Sequence, residues 1–318
     1  MARPAFRRWL TVAFTVGVLV LAARILEQRL VGVRWADVLA QLQAVRLTTV
    51  LAAVGCCALS YLCLAVHEVL VLRHVAPGSQ CSRRRAVVAA LAAYPIGHAV
   101  GVGALSGGAV RLRWYAAAGL SLAEVGQVVV LCMLPYAVGL GVLFATSLLW
   151  HSAAAGRLLN LPLPWVLGVA VACLAVHVAY VTATFRLRGS WRWPRWMGGV
   201  VLTLPPGKFT LMQYAVGMVD VGAAAAILWL FLPATAGVEF VAFLPLYVLC
   251  IFAALASNVP AGLGVFESVL LLLLPSVAPE ALLGAVLLYR CVFELLPLAV
   301  ALLLLAATEL AGKGRSLN

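Results

Sequence analysis

The chain has 318 residues, of which 65% are hydrophobic and only 10% are charged, and its formal net charge is +12. This composition excludes an ordinary soluble domain, and repeated apolar windows of about 20 residues indicate helices that span a bilayer. Because the basic residues flank those windows, the positive charge indicates loops that face anionic lipid, and no nucleic-acid partner is expected. The 8 cysteines lack a metal-binding spacing, so neither a metal nor a cofactor is expected.

Successive apolar windows predict the membrane segments. The first has the basic start of a signal peptide, but Arg24 and the lack of a small-residue cleavage site favour an uncleaved helix. Two windows are interrupted by Gly and Pro, and we call them the first and second broken segments (Ala86–Gly108 and Phe240–Leu274). In chain order the windows are Trp9–Leu26, Leu47–Leu72, Ala86–Gly108, Leu122–Trp150, Leu163–Phe185, Phe209–Leu232, Phe240–Leu274 and Ala281–Ala307.

The arginine distribution predicts which helix ends face the cytoplasm. It places both chain termini inside, and it fits the windows if both broken segments are re-entrant hairpins, the first entered from the cytoplasm and the second from outside. The expected fold is an all-α polytopic membrane protein with six spanning helices and two re-entrant hairpins; the alternative is eight plain spans. The clusters expected inside are Arg3, Arg7 and Arg8; Arg73 with Arg83–Arg85; Arg186, Arg188, Arg192, Arg195 and Lys208; and Lys313 and Arg315, whereas Arg24, Arg29, Arg34 and Arg46 would flank an external loop against the rule.

A single integral membrane domain is expected over residues 1–318. Under the predicted topology it divides near Leu161 into halves 1–160 and 161–318, each with the order helix, helix, hairpin, helix, in opposite orientations. An inverted repeat of this kind places a substrate near the bilayer midplane, between broken helices. Sequence similarity between the halves is confined to a Gly-rich break before an apolar helix, so a chance arrangement of hydropathy peaks remains the alternative.

The second broken segment is the most informative stretch of the chain. Pro260, Gly262, Gly264 and the carboxylate of Glu267 lie inside its apolar run. A break at membrane depth survives only where protein or a water-filled cavity satisfies the freed backbone groups, and such breaks mark transport sites. Glu267 would lie in the first turn of a helix that begins near Gly264, where a carboxylate either caps free N–H groups or binds a ligand.

Asp220, Glu267, Arg290 and Glu294 are charged residues that lie well inside apolar windows. An ionised side chain at the bilayer centre costs about 2.5–3.5 kcal/mol, so these residues are predicted to face the protein interior. Arg290 and Glu294 are four apart on one helix face and can pair with each other, or Arg290 can pair with Asp220 across the bundle. The carboxylates either bind the cationic part of a substrate or only hold helices together.

The first broken segment suggests an anion site. Ser106, Gly107 and Gly108 precede Arg111 and Arg113, so free backbone N–H groups and two guanidinium groups are predicted to converge on a lipid phosphate. The alternative is that both arginines extend to the cytoplasmic headgroups.

The other polar residues are weaker candidates. His67, Glu68 and Glu124 are predicted to be solvated at cytoplasmic helix ends. His98 and His177 can titrate near neutral pH, although a lone histidine is more often a hydrogen-bonded core residue.

Both broken segments resemble the membrane domain of the bacterial lysyl-phosphatidylglycerol synthase/flippase family, the multiple peptide resistance factor. That family usually has Pro-Gly-Gly-Leu-Gly where this chain has Pro260-Ala261-Gly262-Leu263-Gly264. Full-length members also carry a second membrane region and a cytosolic aminoacyltransferase domain, neither of which is found before Asn318, so the resemblance implies the flippase part. The similar stretches are Tyr94–His98, Leu105–Tyr115, Gly119–Ser121 and Val259–Glu267.

The resemblance implies a lipid translocase of the bacterial inner membrane that moves a phospholipid such as aminoacylated phosphatidylglycerol and so reduces binding of cationic antimicrobial peptides. Its expected partners are membrane phospholipids, with a separately encoded synthase and a second copy of the chain as further candidates. The alternatives are a membrane scaffold for such a synthase and an intramembrane enzyme. Synthase activity is not expected from this chain alone, because the family's aminoacyltransferase domain is absent from it. An intramembrane enzyme is the least favoured alternative, because no acyl-transfer, phosphoryl-transfer or metal motif is found.

Overall fold

The computed structural model describes residues 35–100, 103–159, 161–187, 190–192, 201–203, 205–257 and 259–315, together with residues 20, 24, 25 and 27. Over these residues the protein is an all-α polytopic membrane protein, with one antiparallel pair of three-residue strands in the loop between two spanning helices. The predicted first helix, Trp9–Leu26, lies almost entirely outside the described residues.

Twelve helices follow one another in the described part of the chain. We number them α1 (Trp35–Ala44), α2 (Leu47–Val75), α3 (Arg83–Val100), α4 (Gly103–Ala116), α5 (Leu122–Trp150), α6 (Ser152–Leu159), α7 (Leu163–Arg186), α8 (Gly207–Phe231), α9 (Phe240–Ser257), α10 (Val265–Leu273), α11 (Pro279–Arg290) and α12 (Leu296–Arg315). The strands are β1 (Ser190–Arg192) and β2 (Val201–Thr203), and a short π-helical stretch, Cys291–Leu295, joins α11 to α12.

Six helices of the described residues are long and apolar enough to cross a membrane: α2, α5, α7, α8, α9 and the continuous stretch Pro279–Thr308. Five of them match predicted spans. The sixth, α9, was predicted to be one arm of a hairpin, but its 18 residues reach about 27 Å, close to the thickness of the hydrocarbon core. The second broken segment therefore has one long arm, α9, and one short arm, the nine-residue α10.

Helix α8 occupies the centre of the bundle and packs against α2, α5, α7, α9 and α11. Its crossing with α5 is close, because Gly139 of α5 and Gly217 of α8 leave no room for a Cβ atom on either helix. Small residues at a crossing let two helix backbones touch, which is a common way to pack helices in a membrane. Asp220 lies one turn after Gly217 on α8, so this contact helps to position Asp220 along the bundle.

The two broken segments meet inside the bundle. Helices α3 and α4 pack against each other, and α10 returns along α9. Between α9 and α10 the chain makes a 3₁₀ turn, Pro260–Gly262, which packs against α3. The order spanning helix, broken pair, spanning helix thus occurs twice, as α2 to α5 and as α8 to α12, whereas the inverted repeat and its two halves stay a prediction.

The first broken segment differs from its predicted form. Its second helix begins at Gly103 and continues to Ala116, so Ser106, Gly107 and Gly108 lie inside α4 rather than before it. Their N–H groups fall within a helix and are not presented as a free anion-binding loop. Gly107 has a packing role instead, because a Cβ there would lie 2.9 Å from the carbonyl oxygen of Ala93 on α3.

Candidate functional site

The turn of the second broken segment has an unusual backbone. Ala261, Gly262 and Gly264 all have positive φ angles, of 52°, 61° and 80°. Glycine adopts such angles at little cost, whereas an alanine pays a steric penalty. The N–H of Gly264 donates to Glu267 Oε2 at 2.8 Å, so the predicted capping role of Glu267 is observed.

Arg290 ties this turn to two helices. Its Nε and Nη2 atoms lie 2.8 and 2.6 Å from Glu267 Oε1, and its Nη1 donates to the Ala261 carbonyl at 3.2 Å. Nη1 also lies 3.0 Å from Glu294, which is the same-helix pair expected from the sequence. The Arg290 guanidinium therefore pairs with two carboxylates.

The helix that carries Arg290 changes its winding at this point. A π-helical turn begins at Cys291, directly after Arg290, and includes Glu294. Single π-turns inside α-helices are frequent at functional sites. Here the π-helical turn lies between Arg290 at the end of α11 and the start of α12.

A second ion pair lies on the other side of the bundle. Arg111 of α4 makes two hydrogen bonds of 2.7 Å with Glu68 of α2, and both side chains are buried. Tyr115 also donates to Glu68 at 2.7 Å, and the Arg111 guanidinium lies 4.6 Å from the centre of the Tyr94 ring. A bidentate pair with a cation–π contact on its open face holds Arg111 firmly in place.

Arg111 and Arg113 do not converge. Arg111 is 3% exposed and faces the interior, whereas Arg113 lies on the outer side of α4. Two residues that are two apart on a helix point in different directions, so a shared phosphate site at this helix is not seen. The interior position of Arg111 also differs from the alternative in which it extends to the headgroups.

Asp220 has a different environment from the other carboxylates. It is 3% exposed, and Ser60 of α2 donates to its Oδ1 at 2.5 Å. Within the described part of the chain no lysine or arginine pairs with it, so the predicted alternative of an Arg290–Asp220 pair is not observed.

A cavity of about 280 Å³ brings these groups together. It lies where the two broken segments meet, with Gly97 and His98 of α3 on one side and Ala261 and Gly262 of the turn on the other. Its charged lining consists of Arg111, Asp220, Arg290 and Glu294, and aromatic side chains complete the wall: Tyr94, Tyr136, Tyr247, Phe266, Tyr289 and Phe293. The predicted candidates Pro260, Gly264 and Glu267 do not line the cavity, although Glu267 contacts Arg290, which does.

The cavity reaches the outer surface of the bundle between α5 and α9. Two of its lining residues, Met133 of α5 and Leu255 of α9, are 48% and 57% exposed. In a spanning helix such side chains face lipid. We expect this opening to face the hydrocarbon region.

The charges around the cavity do not balance. Arg111 is neutralised by Glu68, and Arg290 faces both Glu267 and Glu294, while Asp220 has no basic partner in the described structure. Two arginines are thus set against four carboxylates. Charges inside a membrane are costly unless they are compensated, so the unpaired carboxylate can take up either a proton or a ligand that brings positive charge.

No metal centre is formed by the described residues, in which no group of three or more His, Cys, Asp or Glu side chains could hold an ion. The cavity has a mostly apolar and aromatic lining with four charged side chains, an arrangement that suits an amphipathic molecule.

Comparison with known proteins supports the membrane assignment. No protein-family model matches the chain. Over 277 residues it is 30% identical to the uncharacterized protein slr0712 of Synechocystis sp., and the alignment covers 87% of this chain and 84% of that protein. The chain belongs to the same family. It is also 33% identical over 107 residues to the inner membrane protein YbhN of Escherichia coli, which covers 33% of each protein.

The expectation that His67 and Glu68 are solvated was wrong, because both are fully buried. A signal for this was present in the sequence. Arg111 lies at membrane depth and needs a counter-charge, and Glu68 shares one face of α2 with Ser60, Tyr61 and Leu64 at helical spacing. Glu68 lies close to the end of the predicted span Leu47–Leu72, where a charged side chain is usually solvated, and its burial therefore depends on the contact with α4.

Proposed function

We propose that the protein moves phospholipid between the two leaflets of a bacterial inner membrane, and that its substrate carries a cationic group besides the phosphate. Aminoacylated phosphatidylglycerol has this chemistry. The observation that carries the proposal is the cavity at the meeting point of the two broken segments, which is lined by Arg111, Arg290, Asp220 and Glu294 and by the exposed residues Met133 and Leu255. Glu68 and Glu267 do not line it but pair with its two arginines, so that two arginines are set against four carboxylates.

The cavity lowers the barrier that prevents lipids from crossing unaided. A charged headgroup in hydrocarbon loses its hydration, and the cost of an unpaired polar group is several kcal/mol. A volume of about 280 Å³ is close to the lower limit of small-molecule sites. It suits a headgroup but not two acyl chains, which stay in the bilayer beside Met133 and Leu255.

Arg290 is the better candidate to bind the phosphate. The Arg111 guanidinium is held by Glu68 and covered by Tyr94, and its side chain is only 4% exposed, whereas the side chains of Arg290 and Glu294 are 11% and 22% exposed. A phosphate can replace Glu294 on Nη1 of Arg290 while Glu267 keeps the guanidinium oriented. Glu294, once displaced, and Asp220 then face the cationic part of the headgroup.

The resemblance of both broken segments to the lysyl-phosphatidylglycerol synthase/flippase family supports the same substrate class. Movement of such a lipid to the outer leaflet makes the surface less anionic, which weakens the attraction of cationic antimicrobial peptides. Acyl transfer is not part of this proposal.

The test is a flipping assay in proteoliposomes. Purified protein is reconstituted with tail-labelled phosphatidylglycerol or lysyl-phosphatidylglycerol, and the label exposed in the outer leaflet is bleached with dithionite. We expect faster loss of the protected inner-leaflet signal than in protein-free liposomes, and a larger effect for the lysyl lipid. Equal signals with and without protein for both lipids would contradict the proposal.

A matched pair of variants tests the assignment of the headgroup. Glu294→Gln removes one negative charge from the cavity but leaves Arg290 paired with Glu267, so flipping of the lysyl lipid should fall several-fold more than that of phosphatidylglycerol. Glu239→Gln makes the same change at an exposed position before α9 and should alter neither rate. Equal losses for both lipids in Glu294→Gln would contradict a role of this carboxylate in cation recognition.

A further inference from the structure

A line of polar side chains runs along the contact between α2 and α8. The two helices are antiparallel, since Ser60 pairs with Asp220 at one level while His74 stacks on Phe209 at a distance of 4.8 Å at another. His67 lies between these levels, 6.1 Å from the Phe209 ring. Gln213 lies two turns before Asp220 on α8, where its side-chain nitrogen donates to the Leu131 carbonyl of α5 at 3.1 Å and its side-chain oxygen has no partner among the described residues. We call this contact the α2–α8 seam and define it by Ser60, His67, Gln213 and Asp220.

Several polar atoms of the seam lack a hydrogen-bond partner among the described residues. They are both ring nitrogens of His67, the side-chain oxygen of Gln213 and, beside Asp220, the hydroxyl of Tyr61. His67 and Gln213 are 0% and 1% exposed. Buried polar groups are nearly always hydrogen-bonded to protein or to ordered water, so three unsatisfied side chains along one contact point to a hydrated path.

The spacing along the seam suits proton transfer. Asp220 and Gln213 are seven residues apart on α8, and so are Ser60 and His67 on α2, which corresponds to about 10.5 Å along each helix. About two or three water molecules at hydrogen-bond distance cover such a gap. His67 can accept a proton on one ring nitrogen and release one from the other. Beyond it the seam ends beside Arg73, His74 and Lys208, the end predicted to be cytoplasmic.

Asp220 lies at the end of the seam that reaches the cavity. The titratable neighbours of Asp220 on α2, α5 and α9 carry no positive charge. Those neighbours are Cys57, Tyr61, Cys63, Tyr136 and Tyr247. Elsewhere in the cavity lining, Arg111 pairs with Glu68, Arg290 pairs with Glu267 and Glu294, and the His98 ring of α3 stacks on Phe293. His177 of α7 is hydrogen-bonded to Tyr214. A carboxylate buried without a cation is stabilised by gaining either a proton or a cationic ligand.

We infer that the α2–α8 seam is a proton path and that Asp220 is the proton-binding site that couples lipid movement to a proton gradient. This inference rests on the proposed function. A proton on Asp220 and the cationic group of the lipid compete for the same negative charge, so binding of one releases the other. The protein then exchanges protons for cationic lipid.

Proton binding is measured first without lipid transport. Infrared difference spectra of the reconstituted protein, recorded during a pH titration, should contain a protonated-carboxyl band that Asp220→Asn abolishes and Glu294→Gln retains. Asn keeps the size of the side chain and an acceptor for Ser60, so the variant is expected to fold. The same band in Asp220→Asn and in the unmodified protein would overturn the inference, whatever the lipid assay gives.

Coupling is measured in the flipping assay with and without an imposed pH gradient. The gradient should change the rate several-fold in the unmodified protein and have no effect in Asp220→Asn. His67→Phe should slow proton uptake after a pH jump, whereas His177→Gln, which alters an imidazole outside the seam, should not. Equal flipping rates with and without the pH gradient in the unmodified protein would overturn the inference but would not contradict the proposed function. If the Asp220 carboxyl band is observed but no lipid is flipped, the proposed function and the coupling are both contradicted, and only the proton-binding site remains.

Discussion

The guanidinium of Arg290 lies 2.6 Å from the carboxylate of Glu267, and the same guanidinium donates to the carbonyl of Ala261 in the turn before α10. One side chain at the end of α11 therefore holds both the turn and the first residues of α10. Because the turn also packs against α3, a rearrangement that opens the cavity at this point must either break the Arg290–Glu267 pair or move the turn, α10 and the end of α11 together.

Glu267→Gln tests how much the Arg290–Glu267 pair contributes to stability. The variant keeps a hydrogen-bond acceptor but removes the charge that orients Arg290 and caps the helix at Gly264. Hydrogen bonds to charged groups contribute about 1.5–3 kcal/mol, and we expect a loss of stability of that order. The midpoint of unfolding in mixed detergent micelles measures it, with Glu239→Gln at an exposed position as the control. Equal midpoints for the two variants would show that the pair is dispensable for stability.

The Glu68–Arg111 pair should be more sensitive, because both partners are buried. Glu68→Gln leaves a charged guanidinium without its counter-ion, and breaking a buried pair in this way costs about 3–5 kcal/mol. The double variant Glu68→Gln/Arg111→Gln has no stranded charge and should recover part of that loss, so the two effects should not be additive. The same unfolding measurement applies, with Arg73→Gln, at an exposed position of the helix that carries Glu68, as the control. Additive losses would contradict the described geometry.

Ala261→Gly is expected to stabilise the protein. Ala261 has φ 52° and ψ 13°, a conformation that costs an L-residue about 1–2 kcal/mol. Part of the gain is offset by the greater freedom of glycine in the unfolded chain, so a net gain of up to about 1 kcal/mol is expected. Ala52→Gly, at an exposed helical position, should instead lower stability by about 0.5–1 kcal/mol. A loss in Ala261→Gly as large as that in Ala52→Gly would show that the turn is not strained there.

The topology makes a separate prediction. In a background from which the 8 native cysteines have been removed, Gly78→Cys in the loop after α2 should react with a membrane-impermeant maleimide from the cytoplasmic side. Ser276→Cys, between α10 and α11, should react from the outside. Both positions are exposed, so a difference in labelling reports the side of the membrane rather than burial. Labelling of both from one side would contradict the proposed hairpin of α9 and α10.

Hydropathy and helical spacing were sufficient to predict most of the spanning helices and one of the ion pairs. Long apolar windows give spanning helices directly, because a bilayer accepts little else, and the Arg290–Glu294 pair follows from the i, i+4 geometry of one helix. The capping role of Glu267 followed in the same way from local rules. The Arg290–Glu267 pair was not predicted, because it joins residues on two helices whose contact depends on the return of α10 along α9.

The position of the first break could not be found from glycine content alone. Gly107 and Gly108 were predicted to interrupt the helix, yet they lie inside α4, where Gly107 allows α4 to approach the backbone of α3. Glycine permits both a break and a close contact, and the sequence does not distinguish between them. For the same reason the anion site predicted at Ser106, Gly107, Gly108, Arg111 and Arg113 is not assembled, although Arg111 lines the cavity.

The most direct test of the central claim is whether a lipid headgroup enters the cavity between α5 and α9. Leu255→Trp narrows the mouth at an exposed position, and Leu62→Trp makes the same change on a lipid-facing part of α2 that does not line the cavity. Flipping of lysyl-phosphatidylglycerol in proteoliposomes should be slowed several-fold by Leu255→Trp and should be unchanged in Leu62→Trp. Equal rates in both variants and the unmodified protein, or no flipping above protein-free liposomes, would contradict the account.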